Sequence, residues 1–109
     1  MSDLINKYIM QNNKLILGKV KYHKDLVTDP VGVCGGGMFR LNHLKKEVFL
    51  FGSSYKYGIA RPEDVKKAIE NSDIYQGKTQ RAFSYKDYIF IFQSLDGTRT
   101  KHKVEWKNS

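Results

Sequence analysis

Between Gly35 and Gly58 the chain reads GGGMFRLNHLKKEVFLFGSSYKYG. Glycine inside a regular element costs roughly 0.5–1 kcal/mol relative to alanine, so three in a row at one end of a β-pattern are not filler. The backbone itself is needed there. Either another group approaches closely beneath Gly35 to Gly37, or the triplet forms a bulge that starts the strand. At the other end, Gly52 and Gly58 bracket a hydroxyl-rich turn whose amides can face a common point.

The run Val48-Phe49-Leu50-Phe51 within this stretch is apolar at every position. Period-two side chains alternate across a sheet, so it reads as a central strand covered on both faces. MFRLNH pairs with it through a turn around Asn42 to Lys46. Upstream, LINKYIM is a short strand or a helical turn, and KLILGKVKYH, from Lys14 to His23, is a strand. DLVTDPVG follows as a surface connection with a turn at Asp29-Pro30. RPEDVKKAIENS is a helix: Pro62 suits its first position, Glu63 and Asp64 oppose the positive end of its dipole, and Val65, Ala68 and Ile69 share a face. DYIFIFQ and TRTKHKVEW then flank Asp96-Gly97, a hairpin dipeptide. The fold class expected is α+β: a small mixed or antiparallel sheet with one main helix packed against it.

At 109 residues the chain is expected to be one domain, 1–109. No apolar run approaches the ~20 residues that span a bilayer. The amino terminus MSDLINKYIM lacks the layout of a secretory signal. A cytoplasmic monomer without membrane attachment is the expectation. The single cysteine, Cys34, excludes an internal disulfide and is read as a small buried apolar side chain. A net charge of +8 predicts attraction to something acidic. The lysines are dispersed, however, which is the usual pattern of a solvated surface.

Chemistry has few places to reside. The turn Gly52-Ser53-Ser54-Tyr55-Lys56-Tyr57-Gly58 could cradle an anion with its amides, its two serine hydroxyls and the Lys56 charge; a polar loop leading into the helix is equally consistent. Of three histidines, His43 falls in a turn and His102 alternates with lysines, so both read as solvent-facing. His23 closes a strand beside Tyr22, Lys24 and Asp25, where a scaffold can position a functional side chain; a structural histidine is the competing reading. There is no Walker A loop, GxGxxG or HExxH, and no pair of carboxylates evidently sharing a cleft; neither a metal nor another cofactor is expected.

The segment Cys34 to Gly58 resembles the signature region of the Janus/Ocnus family of phosphohistidine phosphatases: a glycine triplet, a β-hairpin with a basic turn, and a Gly-x-Ser-x-x-Tyr-Gly loop. Tyr22-His23-Lys24-Asp25-Leu26 is similar to the Tyr-His-x-Asp-aliphatic segment that holds the family's essential histidine. The resemblance covers roughly residues 20 to 70. It implies a metal-independent phosphatase acting on a phosphorylated protein or small phosphoramidate. His23 would be the general base, and Ser54 with the amides from Ser53 to Lys56 would cradle the phosphoryl oxygens. A family lysine from the first strand corresponds to Lys7 or Lys14, and Tyr22, Lys24, Tyr55 and Lys56 complete the candidate binding set. The chain departs from the family in three places. Lys24 to Cys34 is too short for the family's helix and contains Pro30, and Lys24 and Lys56 each replace a small residue.

Two other readings belong to different classes. One is a basic protein that binds nucleic acid through Tyr55, Tyr57 and Tyr85 beside Lys56 and Lys86. The other is a module that engages an acidic protein partner.

Overall fold

The structure, a computed structural model, describes residues 4–106. In chain order the elements are β1 (Ile5–Gln11), β2 (Lys14–Val20), a one-turn 3-10 helix (His23–Leu26), β3 (Val33–Asn42), β4 (Glu47–Phe51), α1 (Pro62–Glu70), β5 (Ile74–Gln76), β6 (Arg81–Ala82), β7 (Ile89–Gln93) and β8 (Arg99–Lys103). All eight strands form one sheet, in the order β6-β5-β2-β1-β3-β4-β7-β8. The β2–β5 and β4–β7 pairs are parallel and the others antiparallel.

The α+β expectation is corrected. Strands hold 46% of the structure and helices 13%, and the sheet curls into a half-barrel. The physical reason lies downstream of α1, where four strands add to both edges of the sheet and let it wrap around its own interior. Helix α1 is no separate layer. Its nine residues are fewer than the ~12–15 that hold a helix in isolation, so it depends on burying Val65, Ala68 and Ile69 among the inward side chains. These include Tyr8, Met10, Leu15, Leu17, Val48, Leu50, Phe90 and Phe92. Pro62 opens the helix and acidic residues occupy its first turn, as the sequence requires.

The opposite, outer face carries a second cluster in which Ile9, Ile16, Leu26 and Val27 pack together. Here the 3-10 turn lies against β2: a Cβ at Gly18 would come within 2.6 Å of the Leu26 side chain. All four hairpin turns use left-handed backbone, at Lys46 between β3 and β4 and at Gly77 and Gln80 between β5 and β6 among others. Asn12 and Asn13 (φ 51° and 67°) join β1 to β2, and Gly97 (φ 88°) lies between β7 and β8, the geometry that matches strand twist.

Two further expectations change. The run Val48 to Phe51 is not covered on both faces: Val48 and Leu50 are buried, whereas Phe49 and Phe51 are half-buried on the outer side. Their rings lie under Arg99 and Arg40 instead of a packed element. Cys34 is exposed rather than buried, at the start of β3 where the pairing with β1 shifts register. Among the described residues no helix is long and apolar enough to cross a membrane.

Candidate functional site

Strand β3 is the spine of the site, and its glycines act through the space they leave empty. A Cβ on Gly36 would meet the Tyr8 carbonyl oxygen at 2.5 Å and His23 Cδ2 at 3.2 Å; one on Gly37 would meet the Phe51 carbonyl oxygen at 2.4 Å and the Tyr8 ring at 2.8 Å. The triplet therefore admits an imidazole on one face and a fully buried tyrosine on the other. At Gly35 a Cβ would strike the backbone of Ile59 at 2.5 Å, where the chain leaving the Gly52–Gly58 loop bridges to Gly36.

His23 does not close a strand. It is the first residue of the 3-10 turn, because β2 ends at Val20. The turn is fastened by Asp25, whose amide donates to Tyr22 O at 3.0 Å and whose carboxylate accepts from the Tyr22 amide at 3.1 Å. Four residues, one of them the buried Leu26, thus position the imidazole. The His23 ring is buried, and its Nε2 lies 2.7 Å from Gly37 O. A carbonyl only accepts, so Nε2 carries the hydrogen and Nδ1 is left with its lone pair. Burial pulls the His23 pKa below its ordinary value; the Gly37 bond opposes this and the Lys7 charge adds to it. With its pKa lowered, the ring favours the neutral form near pH 7.

The loop is built by its own hydrogen bonds. Gly52 and Gly58 adopt φ of 74° and 79°, a region that favours glycine. Ser54 N–H donates to Gly58 O at 3.0 Å and Gly58 N–H returns a bond to Ser54 O at 2.9 Å, while Gly36 N–H ties the same Gly58 O to β3 at 3.1 Å. The Ser54 hydroxyl oxygen accepts from Tyr57 N–H at 3.0 Å, and Ser54 is buried. Its oxygen and its amide are thus engaged in closing the loop. At the loop tip, the amides of Tyr55 and Lys56 have no partner among the described residues.

Between this loop and the 3-10 turn lies a cleft of about 280 Å³ lined by Lys7, Tyr22, His23, Lys24, Tyr55 and Lys56. That is near the lower end of small-ligand sites, and no carboxylate lines it. Lys7 donates to Lys21 O; Lys7 and Lys24 also lie 5.9 and 5.4 Å from the Tyr22 ring, and Lys56 lies 5.6 Å from Tyr57. The structure brings together six of the nine candidate residues. Ser53 and Ser54 contribute to the loop without lining the cleft. Lys14 is at the far end of β2, 5.5 Å from the Tyr75 ring with its ammonium 3.4 Å from Gln80 Oε1. Lys7 is therefore the lysine that faces the site.

The aromatic set proposed for base stacking is split by the sheet. Tyr57 packs against the outer cluster, Tyr85 against the interior one, and Lys86 lies over Trp106. His43 is exposed, bonded to the Tyr88 hydroxyl. His102 is half-buried, its pKa lowered by burial and by Lys66. Among the described residues no three His, Cys, Asp or Glu side chains are grouped to hold a metal ion. Sequence reasoning missed the Gly37 carbonyl, which orients the imidazole, and Gly18, which seats the turn; the glycines themselves were the only available signal.

Comparison with family models, with curated proteins and with solved structures returned no match. The likeness to the Janus/Ocnus family rests on the two motifs and their order.

Proposed function

We propose that the cleft hydrolyses the P–N bond of a phosphohistidine or a related phosphoramidate, with His23 as general base. The observation that carries this reading is a buried imidazole whose Nε2 is tied to Gly37 O, on the wall of a cleft lined by three lysines and no carboxylate. Water bound between Nδ1 and phosphorus gives its proton to Nδ1 as the O–P bond forms and the P–N bond breaks. The nitrogen leaves with the bonding electrons and takes a proton from the imidazolium or the solvent. Phosphoryl transfer depends chiefly on in-line positioning and on neutralising the equatorial oxygens. Lys7, Lys24, Lys56 and the free loop amides supply that neutralisation, and a neutral imidazole near pH 7 is suited to accepting the water proton.

The test is release of phosphate from a phosphohistidine peptide and from phosphoramidate. The wild-type protein turns over, while His23→Ala retains phosphate binding and loses turnover by 100-fold or more, on the order expected for a general base. Undiminished hydrolysis by His23→Ala would remove His23 from the mechanism. Absence of wild-type hydrolysis on both substrates would remove the reading itself.

A further inference from the structure

The outer surface of β3, β4, β7 and β8 carries a second constellation, separate from the cleft. Inward side chains on these strands are Phe39, Val48, Leu50, Phe90 and Phe92, so their neighbours face out. The register then places Arg40 opposite Phe49, Phe49 beside Ile91, and Ile91 opposite Lys101. That is one row across four strands with cations at both ends and apolar groups in the middle. The Phe49 and Phe51 rings stack with centroids 5.3 Å apart and planes within 19°. Arg99 lies 4.9 Å over Phe49 and Arg40 lies 5.0 Å over Phe51, and both arginines are exposed. A depression of about 520 Å³ lies here, with Arg40, Phe49, Ile91 and Arg99 in its wall and Glu47 as its one carboxylate. On β8, Arg99, Lys101 and Lys103 repeat at period two and all are exposed.

Edge-strand lysines alone would serve to block strand addition, but that role explains neither two phenylalanines facing outward from interior strand β4 nor two guanidiniums laid over them. Planar π surfaces flanked by phosphate-binding cations match a ligand that presents unpaired bases on a polyanionic backbone. The geometry points to a binding platform for single-stranded nucleic acid, with bases stacking on the Phe49–Phe51 pair and its covering arginines, and phosphates meeting Arg40, Arg99, Lys101 and Lys103. A duplex hides its base faces and has no such match. The platform is independent of the proposed hydrolysis and holds or fails without it.

The test is fluorescence anisotropy of the full chain with a labelled pyrimidine-rich strand of about 12 nucleotides, within the usual span of such sites, as DNA and as RNA, against the same sequence as duplex. Single strands bind more tightly than duplex. Phe49→Leu with Phe51→Leu weakens binding about ten-fold or more and leaves the salt dependence unchanged. Arg40→Glu with Arg99→Glu also weakens binding and reduces the slope of log K against log salt by roughly 1.4, two single-strand phosphate contacts. His23→Ala binds as wild type. Because both arginines are exposed, their variant tests the same face even where the phenylalanine pair proves unable to fold. Equal affinity for duplex, no loss in a folded phenylalanine variant, or no binding at low salt would each overturn the proposal.

Discussion

Replacing Gly36 with alanine tests whether the triplet exists for close approach. No left-handed backbone is recorded at Gly36, so the substitution is a matter of space alone. The new Cβ would lie 2.5 Å from the Tyr8 carbonyl oxygen and 3.2 Å from both His23 Cδ2 and Ile9 Cγ2. An imidazole or a methyl can yield a few tenths of an ångström. The carbonyl cannot, because Tyr8 is fully buried and its strand is paired on both sides. Overpacking of this kind costs about 1–3 kcal/mol, and a backbone obstacle belongs at the upper end. The smaller entropy of an unfolded alanine returns about 0.4–1 kcal/mol. The net loss is about 2 kcal/mol, which at roughly 4–8 °C per kcal/mol lowers Tm by about 8–16 °C. Urea and thermal unfolding measure this directly. An NMR titration of His23 should show its pKa moved as well, since the ring is displaced from Gly37 O. Unchanged stability together with an unchanged His23 titration would refute the claim that the glycine makes room for the imidazole.

Three other outcomes follow from the site. Lys7 lowers the His23 pKa, so Lys7→Gln raises it, and the acidic limb of kcat/KM shifts to higher pH; an unmoved or downward-moving limb would contradict the placement of Lys7. The same depressed pKa links to stability: the unfolded chain binds the proton more readily, so the contribution is intact above pH ~6.5 and is lost as pH falls below it towards the folded value. His23→Gln should flatten that part of the stability profile, and a profile as steep as the wild type's would argue against it. Ser54→Ala leaves the Tyr57 amide without its acceptor, a loss of about 1–3 kcal/mol that should lower Tm by several degrees. Full stability combined with lost phosphate affinity would instead make Ser54 a direct ligand.

Several local features were legible from residue order because their causes are local. Pro62 and the following acids start α1, three apolar residues at helical spacing face the core, and Asp96-Gly97 turns a hairpin. The short strands β5 and β6 were not legible, since Ile74–Gln76 and Arg81–Ala82 are too brief to show a period and exist by pairing with β2 and with each other. The two asparagines at the β1–β2 turn are a local signal of the same kind as Asp96-Gly97, since asparagine tolerates left-handed backbone.

The chain by itself determined which chemistry could be assembled: one histidine in a Tyr-His-x-Asp context, a glycine-bracketed loop, a glycine triplet and a surplus of lysine. Only the tertiary structure decided that Lys7 rather than Lys14 faces the cleft, that Ser54 builds the loop, and that Phe49 and Phe51 lie outside the core. Each of those outcomes depends on which face of a curled sheet a residue occupies and on what lies across from it. Strand register and curvature set both, through pairings between segments far apart in the chain.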